Sequence, residues 1–309
     1  INLRGCHVDE NFTDKNYTLD KIKTATADIL QKLSAGINLG ALTSKGFGKI
    51  QVSDIVAEIF DFRKKADVIS WLTDKKSAEK ILPTEKAPAS ADDFIVDADF
   101  IFNNSFIVRD YLHGEKNSTT TISAVSLKNR NDFVIPGTSW KGIFRHRAEY
   151  ILRKLGLENK ILDKLMGTAE DEKIKSRLMI EESYITPENV ADIIHTRNKI
   201  DRFTGGTLQG TLFTTKPVWQ KKFAPTLHLH FEVKDCKNFD AGLMLFILRD
   251  LWLGKIALGG EKSVGRGTLT GLNAEIKFKD KIYQLGEGGK IISGDKNELE
   301  KFSSAVRGD

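Results

Sequence analysis

Two cysteines in 309 residues, Cys6 and Cys236, leave no disulfide framework and no cysteine-rich zinc site to build on. Both read as inert thiols. Long apolar runs are missing too: the longest, Gly242-Leu-Met-Leu-Phe-Ile-Leu248, ends at Arg249 and Asp250, far too short to span a bilayer. No membrane partner is expected. Ile1-Asn-Leu-Arg-Gly-Cys6 has no apolar signal segment, so cytoplasm is the default compartment expected. Nucleotide P-loop spacing is absent, as is a glycine fingerprint set between a strand and a following helix. Charge is only mildly unbalanced, at +5, which favours an anionic partner without demanding one. The remainder, 40% hydrophobic and 29% charged, is ordinary for a soluble globule of one large or two modest domains.

What is present is present twice. Leu39-Gly-Ala-Leu-Thr-Ser-Lys-Gly-Phe-Gly48 and Leu258-Gly-Gly-Glu-Lys-Ser-Val-Gly-Arg-Gly267 both read L-G-[AG]-x-x-S-x-G-x-G. Each follows a helical apolar period and runs into alternating residues. A repeat of so long a period is a duplicated domain. The first copy lies only a few dozen residues from Ile1, so the expectation is the tail of one domain (1–79), a linker (80–93) and a complete second domain (94–309). The start of the first domain is then expected upstream of Ile1. Closely spaced glycines admit positive φ and close backbone approach, and their amides can form an anion nest. A tight helix-to-strand turn is the plainer reading of either loop alone.

Periodicity predicts a helix over 19–35 with Leu19, Ile22, Ala25, Ile29 and Leu33 inward and Gly36 as its stop. A strand over 49–60, a charged helix over 63–82 and a Pro-rich linker over 83–93 follow. Next come a strand over 94–102, a polar loop at 117–123, and a helix capped by Ser139 or Thr138 and ended by Gly156. That helix should bury Trp140, Ile143, Phe144, Ala148, Ile151, Leu152 and Leu155. Strands over 177–184, 208–218 and 227–233 and a helix over 241–253 complete the order strand, helix, strand, strand, helix, strand. This is an α+β pattern of the split-βαβ, ferredoxin-like kind.

Two segments carry chemistry suited to nucleic acid. Ile135-Pro-Gly-Thr-Ser-Trp-Lys-Gly-Ile-Phe-Arg145 opens a helix whose free N–H groups suit a phosphate, and Lys141, Arg145, His146 and Arg147 crowd its first turns. Asp201-Arg-Phe-Thr-Gly-Gly-Thr-Leu-Gln-Gly-Thr-Leu-Phe213 sets an aromatic beside arginine among small hydroxyl residues, a fair platform for stacking bases. A basic surface helix and an ordinary hairpin are the plainer alternatives. His228 and His230 share a strand face but have no third ligand nearby in sequence, so no metal site is expected.

In order, IPGTS-x-KG-x-x-R at 135–145, IDR-x-TGG at 200–206 and the glycine loop at 258–267 resemble the RAMP superfamily, specifically backbone subunits of type III CRISPR effector complexes. The resemblance covers roughly 94–275 as one copy and 19–60 as the end of another. It implies an RRM-like core with an inserted β-hairpin thumb, stacked with other RAMP subunits along a guide RNA and interrupting its duplex with target RNA. It also implies guide contacts at Ser139, Lys141, Arg145, Arg147, Lys262, Ser263 and Arg266, with Ser44 and Lys45 in the first loop. Arg202, Thr204, Gly205 and Gly206 then belong to the thumb. Nuclease-competent relatives carry an aspartate in the loop before the IPG motif, acting with a divalent metal. Here 119–127 contains no acid, which leaves Asp110, or Asp132, as the catalytic candidate, with Mg²⁺ required only if the subunit cuts RNA. The competing reading pairs Asp110 with Arg109 or Lys116. Guide processing would instead need His113 and His146 as acid and base. No intrinsic cofactor is implied.

Overall fold

A computed structural model describes residues 19–40, 43, 48–50, 52, 55, 57–77, 79–83, 92–110, 122–168 and 173–308. The chain divides into two units, one drawn from Ile1–Leu39 and Gly48–Pro88, the other from Gly40–Phe47 and Ala89–Asp309.

The smaller unit holds α1 (Leu19–Ala35), β1 (Ile37–Asn38), β2 (Lys49–Ile50), β3 (Ala57–Ile59), α2 (Lys65–Leu72) and β4 (Glu79–Ile81). α1 has the expected span, and Gly36 ends it with φ +98°. Its buried line is Ala27 and Leu30, whereas Ile29, expected inside, is 57% exposed. Ile29 and Leu30 are one helical step apart, so spacing alone left the stripe ambiguous by about 100°. The single strand expected over 49–60 is two short ones, and the helix expected over 63–82 stops at Leu72. There the Thr73 hydroxyl donates to the Ile69 carbonyl (2.7 Å) and Asp74 takes φ +54°. β4 then pairs antiparallel with β3, Ala57 opposite Ile81. Of the expected linker, 84–91 lies outside the described residues. Asp93 belongs to the larger unit: it is buried and accepts from Lys234 Nζ (2.9 Å) and the Asp235 N–H (3.2 Å).

The larger unit runs β5 (Phe94–Phe102), β6 (Ser105–Phe106), β7 (Arg109–Asp110), β8 (Ala124–Ser126), β9 (Lys128–Asn129), β10 (Asp132–Ile135), α3 (Gly137–Lys154) and α4 (Ile161–Met166). It continues with β11 (Leu178–Ile180), β12 (Ser183–Tyr184), β13 (Val190–Asp192), β14 (His195–Arg197), β15 (Phe213–Lys216) and β16 (Val218–Gln220). β17 (Leu227–Val233), α5 (Asn238–Trp252), β18 (Leu269–Phe278), β19 (Lys281–Leu285), β20 (Ile291–Ser293) and α6 (Lys296–Arg307) close it. The fold is α+β, with several sheets built mainly of antiparallel pairs. The main sheet has the order β11-β17-β5-β18-β19-β20, every neighbour antiparallel.

Alternation builds its core. Phe94, Val96, Ala98, Phe100 and Phe102 point to one face of β5, and Leu227, Leu229, Phe231 and Val233 continue that face on β17. α3 covers it through Trp140, Ile143, Phe144, Ala148 and Leu152, and α5 adds Leu243, Met244, Ile247 and Leu251. Phe144 meets Phe231 edge-on at 5.2 Å and Phe100 meets Trp252 at 5.5 Å, contacts that stabilise by about 1 kcal/mol each beyond their buried area. α3 starts at Gly137, earlier than a Ser139 or Thr138 cap would place it. Pro136 precedes it with φ −62°, already suited to a helix, and its carbonyl takes the Ser139 (2.9 Å) and Trp140 (3.3 Å) N–H groups. The expected strand over 177–184 breaks at Glu181–Glu182, and the one over 208–218 yields β15 and β16 on either side of Pro217, which has no N–H for a ladder.

One consequence of this topology positions the site. β5 and β11 run one way and β17 and β18 the other, so the connections over 103–136, 181–226 and 253–268 all emerge at the same end of the sheet.

α6 packs so closely on α5 that a Cβ on Gly242 would lie 2.0 Å from the Phe302 carbonyl oxygen. Ala ordinarily favours a helix by about 1 kcal/mol over Gly. At this position Gly242→Ala is instead expected to destabilise by about 1–3 kcal/mol through overpacking. Urea unfolding should show a lower midpoint, and an unchanged or raised midpoint would contradict the packing.

Candidate nucleic-acid interface

The second glycine loop is closed at its neck. The Leu258 N–H donates to the Gly267 carbonyl (2.8 Å), and a Cβ on Gly267 would lie 1.8 Å from the Leu258 oxygen. Two further bonds strap it to the segment after β5, Gly260 N–H to Ile107 carbonyl and Gly267 N–H to Ser105 carbonyl, both 2.7 Å. The first loop repeats the neck: Leu39 N–H reaches the Gly48 carbonyl at 2.9 Å, and a Cβ on Gly48 would lie 1.9 Å from the Leu39 oxygen. Ser44 and Lys45 lie outside the described residues, as do His113 and Cys6. At the tip of the second loop a 3-10 turn, Lys262–Val264, sits between left-handed Glu261 (φ +56°) and Gly265 (φ +81°). Lys262 and Ser263 are exposed there.

A non-glycine residue in the left-handed region needs a compensating hold. Glu261 has three. Its carboxylate, only 5% exposed, takes Arg266 Nε at 2.8 Å, Arg197 at 2.6 Å and Arg109 at 3.4 Å. Burial alone would raise its pKa, but the hydrogen bond from Arg266 and the charge of Arg197 outweigh it and hold the carboxyl below its ordinary value. Arg266 also donates to the Ser105 hydroxyl and to His195 Nδ1 (2.7 Å), and lies 5.3 Å from the Trp219 ring centre. Expected from sequence as an RNA contact, Arg266 is instead 3% exposed and ties loop, β6 and β14 together.

The other expected residues divide in a similar way. Arg147 points to buried Asp250 at 2.6 Å and stacks on Tyr150, so it is a structural ion pair rather than a phosphate contact. Arg145 donates to the Gly167 carbonyl (2.5 Å) and lies 3.9 Å from Asp163, with about a third of its side chain exposed. Lys141 donates to the Leu178 carbonyl at 3.4 Å. Ser139 is half-buried in the first turn of α3, which contains no acid and no capping side chain. Arg202, Thr204, Gly205 and Gly206 all lie exposed on a hairpin pinned by the Ile200–Thr207 bridge. Asp201 Oδ1 accepts from the Phe203 N–H (2.7 Å), and the Phe203 ring is fully solvent-exposed.

Asp110 lies on β7 opposite Val125, and the strand's alternation turns it away from Arg109. The Arg109 guanidinium goes to Glu261, and Lys116, the other expected partner of Asp110, lies outside the described residues. Asp132 is exposed on β10. Among the described residues no group of three or more His, Cys, Asp or Glu could hold a metal ion. One carboxylate is not a protein-held Mg²⁺ site. His228 and His230 pair across strands with Asp99 (2.9 Å) and Asp97 (2.7 Å). The buried Cys236 thiol has its pKa pushed well up by desolvation. Among the described residues no helix is long and apolar enough to cross a membrane.

The RAMP superfamily model matches residues 96–270, more than half of the chain and all three converging connections. The chain belongs to the RAMP superfamily. No curated protein matches it. Among solved structures, a chain in the cryo-EM structure of the Type III-B Cmr-beta bound to cognate target RNA aligns with TM-score 0.45 and 16% identity. The alignment covers 60% of this chain and 61% of that one, less than two thirds of its length.

Arg147→Met strands buried Asp250 with Arg249 alone and should cost about 3 kcal/mol, the low end for a broken buried pair, measured by denaturant unfolding. A depressed Glu261 pKa contributes stability above the ordinary carboxyl value of 4.5 and loses it as pH falls through the lower folded value. Glu261→Gln should therefore flatten the acid limb of a stability-versus-pH curve below pH 4.5, and an unchanged limb would remove Glu261 from the clamp.

Proposed function

We propose that this chain is a guide-RNA-binding backbone subunit of a type III CRISPR effector that recognises target RNA. The observation that carries the reading is the convergence, at one end of the main sheet, of the α3 start, the 200–207 hairpin and the glycine loop. The order β11-β17-β5-β18 with α3 and α5 between strands is the ferredoxin-like core, and the hairpin is its inserted thumb. The smaller unit is the C-terminal part of a preceding RAMP domain, whose loop neck repeats that of the second. Guide RNA, target RNA and further RAMP subunits are the partners, in the cytoplasm.

Mechanistically, the guide backbone runs over the acid-free start of α3 and the loop tip. Ser139, Lys141, Arg145, Lys262 and Ser263 supply hydrogen bonds and positive charge to its phosphates. These contacts position the strand and carry no sequence information. At the hairpin the Phe203 ring is fully exposed, and a base step offers it a surface to stack on. Its ring acts as the wedge that interrupts the guide-target duplex, with Arg202 beside it on the backbone.

Replacing Lys141, Arg145 and Lys262 together by Ala should weaken single-stranded RNA binding regardless of sequence and lower the slope of log K against log[salt] by about 0.7 per lost contact. An unaltered slope would contradict the proposal. Adding labelled complementary RNA and Mg²⁺ to the assembled complex separates binding from cleavage. Cutting by the wild type that Asp110→Ala abolishes would make the subunit an endoribonuclease; an unchanged pattern leaves it a scaffold.

A further inference from the structure

In backbone the smaller unit repeats the larger one; in burial it does not. At the spacing that sets Leu39 on Leu258 and Gly48 on Gly267, the start of α1 at Leu19 falls on the start of α5 at Asn238. The Asn38–Lys49 pair of β1 and β2 likewise falls on the Ala257–Thr268 bridge, and β3 falls on the end of β18, with Ala57 at the place of Ile276. β3 pairs onward with β4 as β18 pairs onward with β19. Helix, neck, bridge and strand therefore share one frame.

Within that frame, Leu248, Leu258 and Leu269 are 2%, 0% and 0% exposed in the main core, whereas Ile29, Leu39 and Ile50 at the same places are 57%, 55% and 42% exposed. Leu33 is only half-buried where Trp252 is buried. Large apolar side chains exposed at matched core places make a surface built to be covered. In the larger unit the cover comes from β5 and α3. β5 pairs along β18 with Phe102 opposite Leu269, Phe100 of β5 meets the Trp252 ring at 5.5 Å, and α3 packs against α5. β18 has a strand on each edge, β5 and β19. Among the described residues β2 has only β1 and β3 only β4, which leaves each an unpaired edge of N–H and C=O groups.

We propose that the smaller unit is an open half-core, filled by an alternating apolar strand laid antiparallel along its free strand edge and by a helix laid over the Ile29 face of α1. Both are carried N-terminal to α1 on the same polypeptide, the order in which β5 and α3 precede α5. Edge pairing supplies main-chain hydrogen bonds, and the inward side chains of the added strand and helix meet Ile29, Leu39 and Ile50. The inference deepens, and rests on, the reading of the smaller unit as part of a preceding domain; RNA has no part in it.

The test compares the 309-residue chain with the polypeptide as the cell makes it. Ile29→Cys and Leu39→Cys are made singly in a Cys6→Ser background, where the remaining Cys236 is buried, and labelled with a maleimide. Both should react in the 309-residue chain and lose most of their labelling in the native polypeptide, while Ile292→Cys, at an exposed place in the larger unit, reacts in both. Equal labelling of positions 29 and 39 in the two forms overturns the proposal. Because a cysteine can loosen the core it enters, amide hydrogen exchange of the unsubstituted protein is measured beside it. Slower exchange of β2 and β3 in the native polypeptide supports the added strand, and unchanged exchange overturns it. Photo-leucine in place of Leu39 then names the occupant: crosslinks to residues N-terminal to α1 support the proposal, and crosslinks to a second copy or another subunit overturn it. None of these measurements reads RNA. A covered face on a protein that binds no RNA keeps the half-core and removes the guide-binding function, and an uncovered face on one that binds RNA does the reverse.

Discussion

The candidate interface depends on a backbone closure that has no room for a methyl group. Where the Leu258 N–H donates to the Gly267 carbonyl, a Cβ on the glycine would lie far inside van der Waals contact of the Leu258 carbonyl oxygen. Only glycine at φ +80° lets the chain leave α5, form a loop and enter β18 within so few residues. That closure fixes where Glu261 and Arg266 project. Glu261 then gathers Arg109 from β7 and Arg197 from β14, segments far apart in sequence, into one cluster. A neck of backbone bonds thus becomes an electrostatic junction between the strand bearing Asp110 and the root of the exposed hairpin.

The same closure occurs at Leu39 and Gly48, which turns a repeated phrase of sequence into a repeated piece of geometry. A nest for nucleotide phosphates would have required glycines between a strand and a following helix. Here the helix comes first, so the loop's amides are spent on closing the neck and strapping it to Ser105 and Ile107. What the loop offers outward is its short tip and the cationic side chains beside it.

Much of the architecture was legible because it rests on strong local signals. Strict alternation marked β5 and β17, and the apolar stripe from Trp140 to Leu152 marked α3, since burial of one face dictates a period of two or of 3.6. Weak or mixed signals misled. The charged stretch after Arg63 has no decisive period, and it divides into a short helix and a strand that pairs with β3. Among the basic residues, sequence could not separate those that face solvent from those that answer a buried acid. Arg147 and Arg266 look like phosphate ligands until Asp250 and Glu261 are seen beside them.

By itself, then, the sequence determined the α+β order of elements, the two glycine necks and the RAMP motifs, because each is written in neighbouring residues by period, capping or conformational need. Tertiary structure alone decided which cations answer a buried acid and which face solvent. Partnership across a fold depends on register and loop closure, and Arg109, Arg197 and Arg266 meet Glu261 only because three connections return to the same end of one antiparallel sheet.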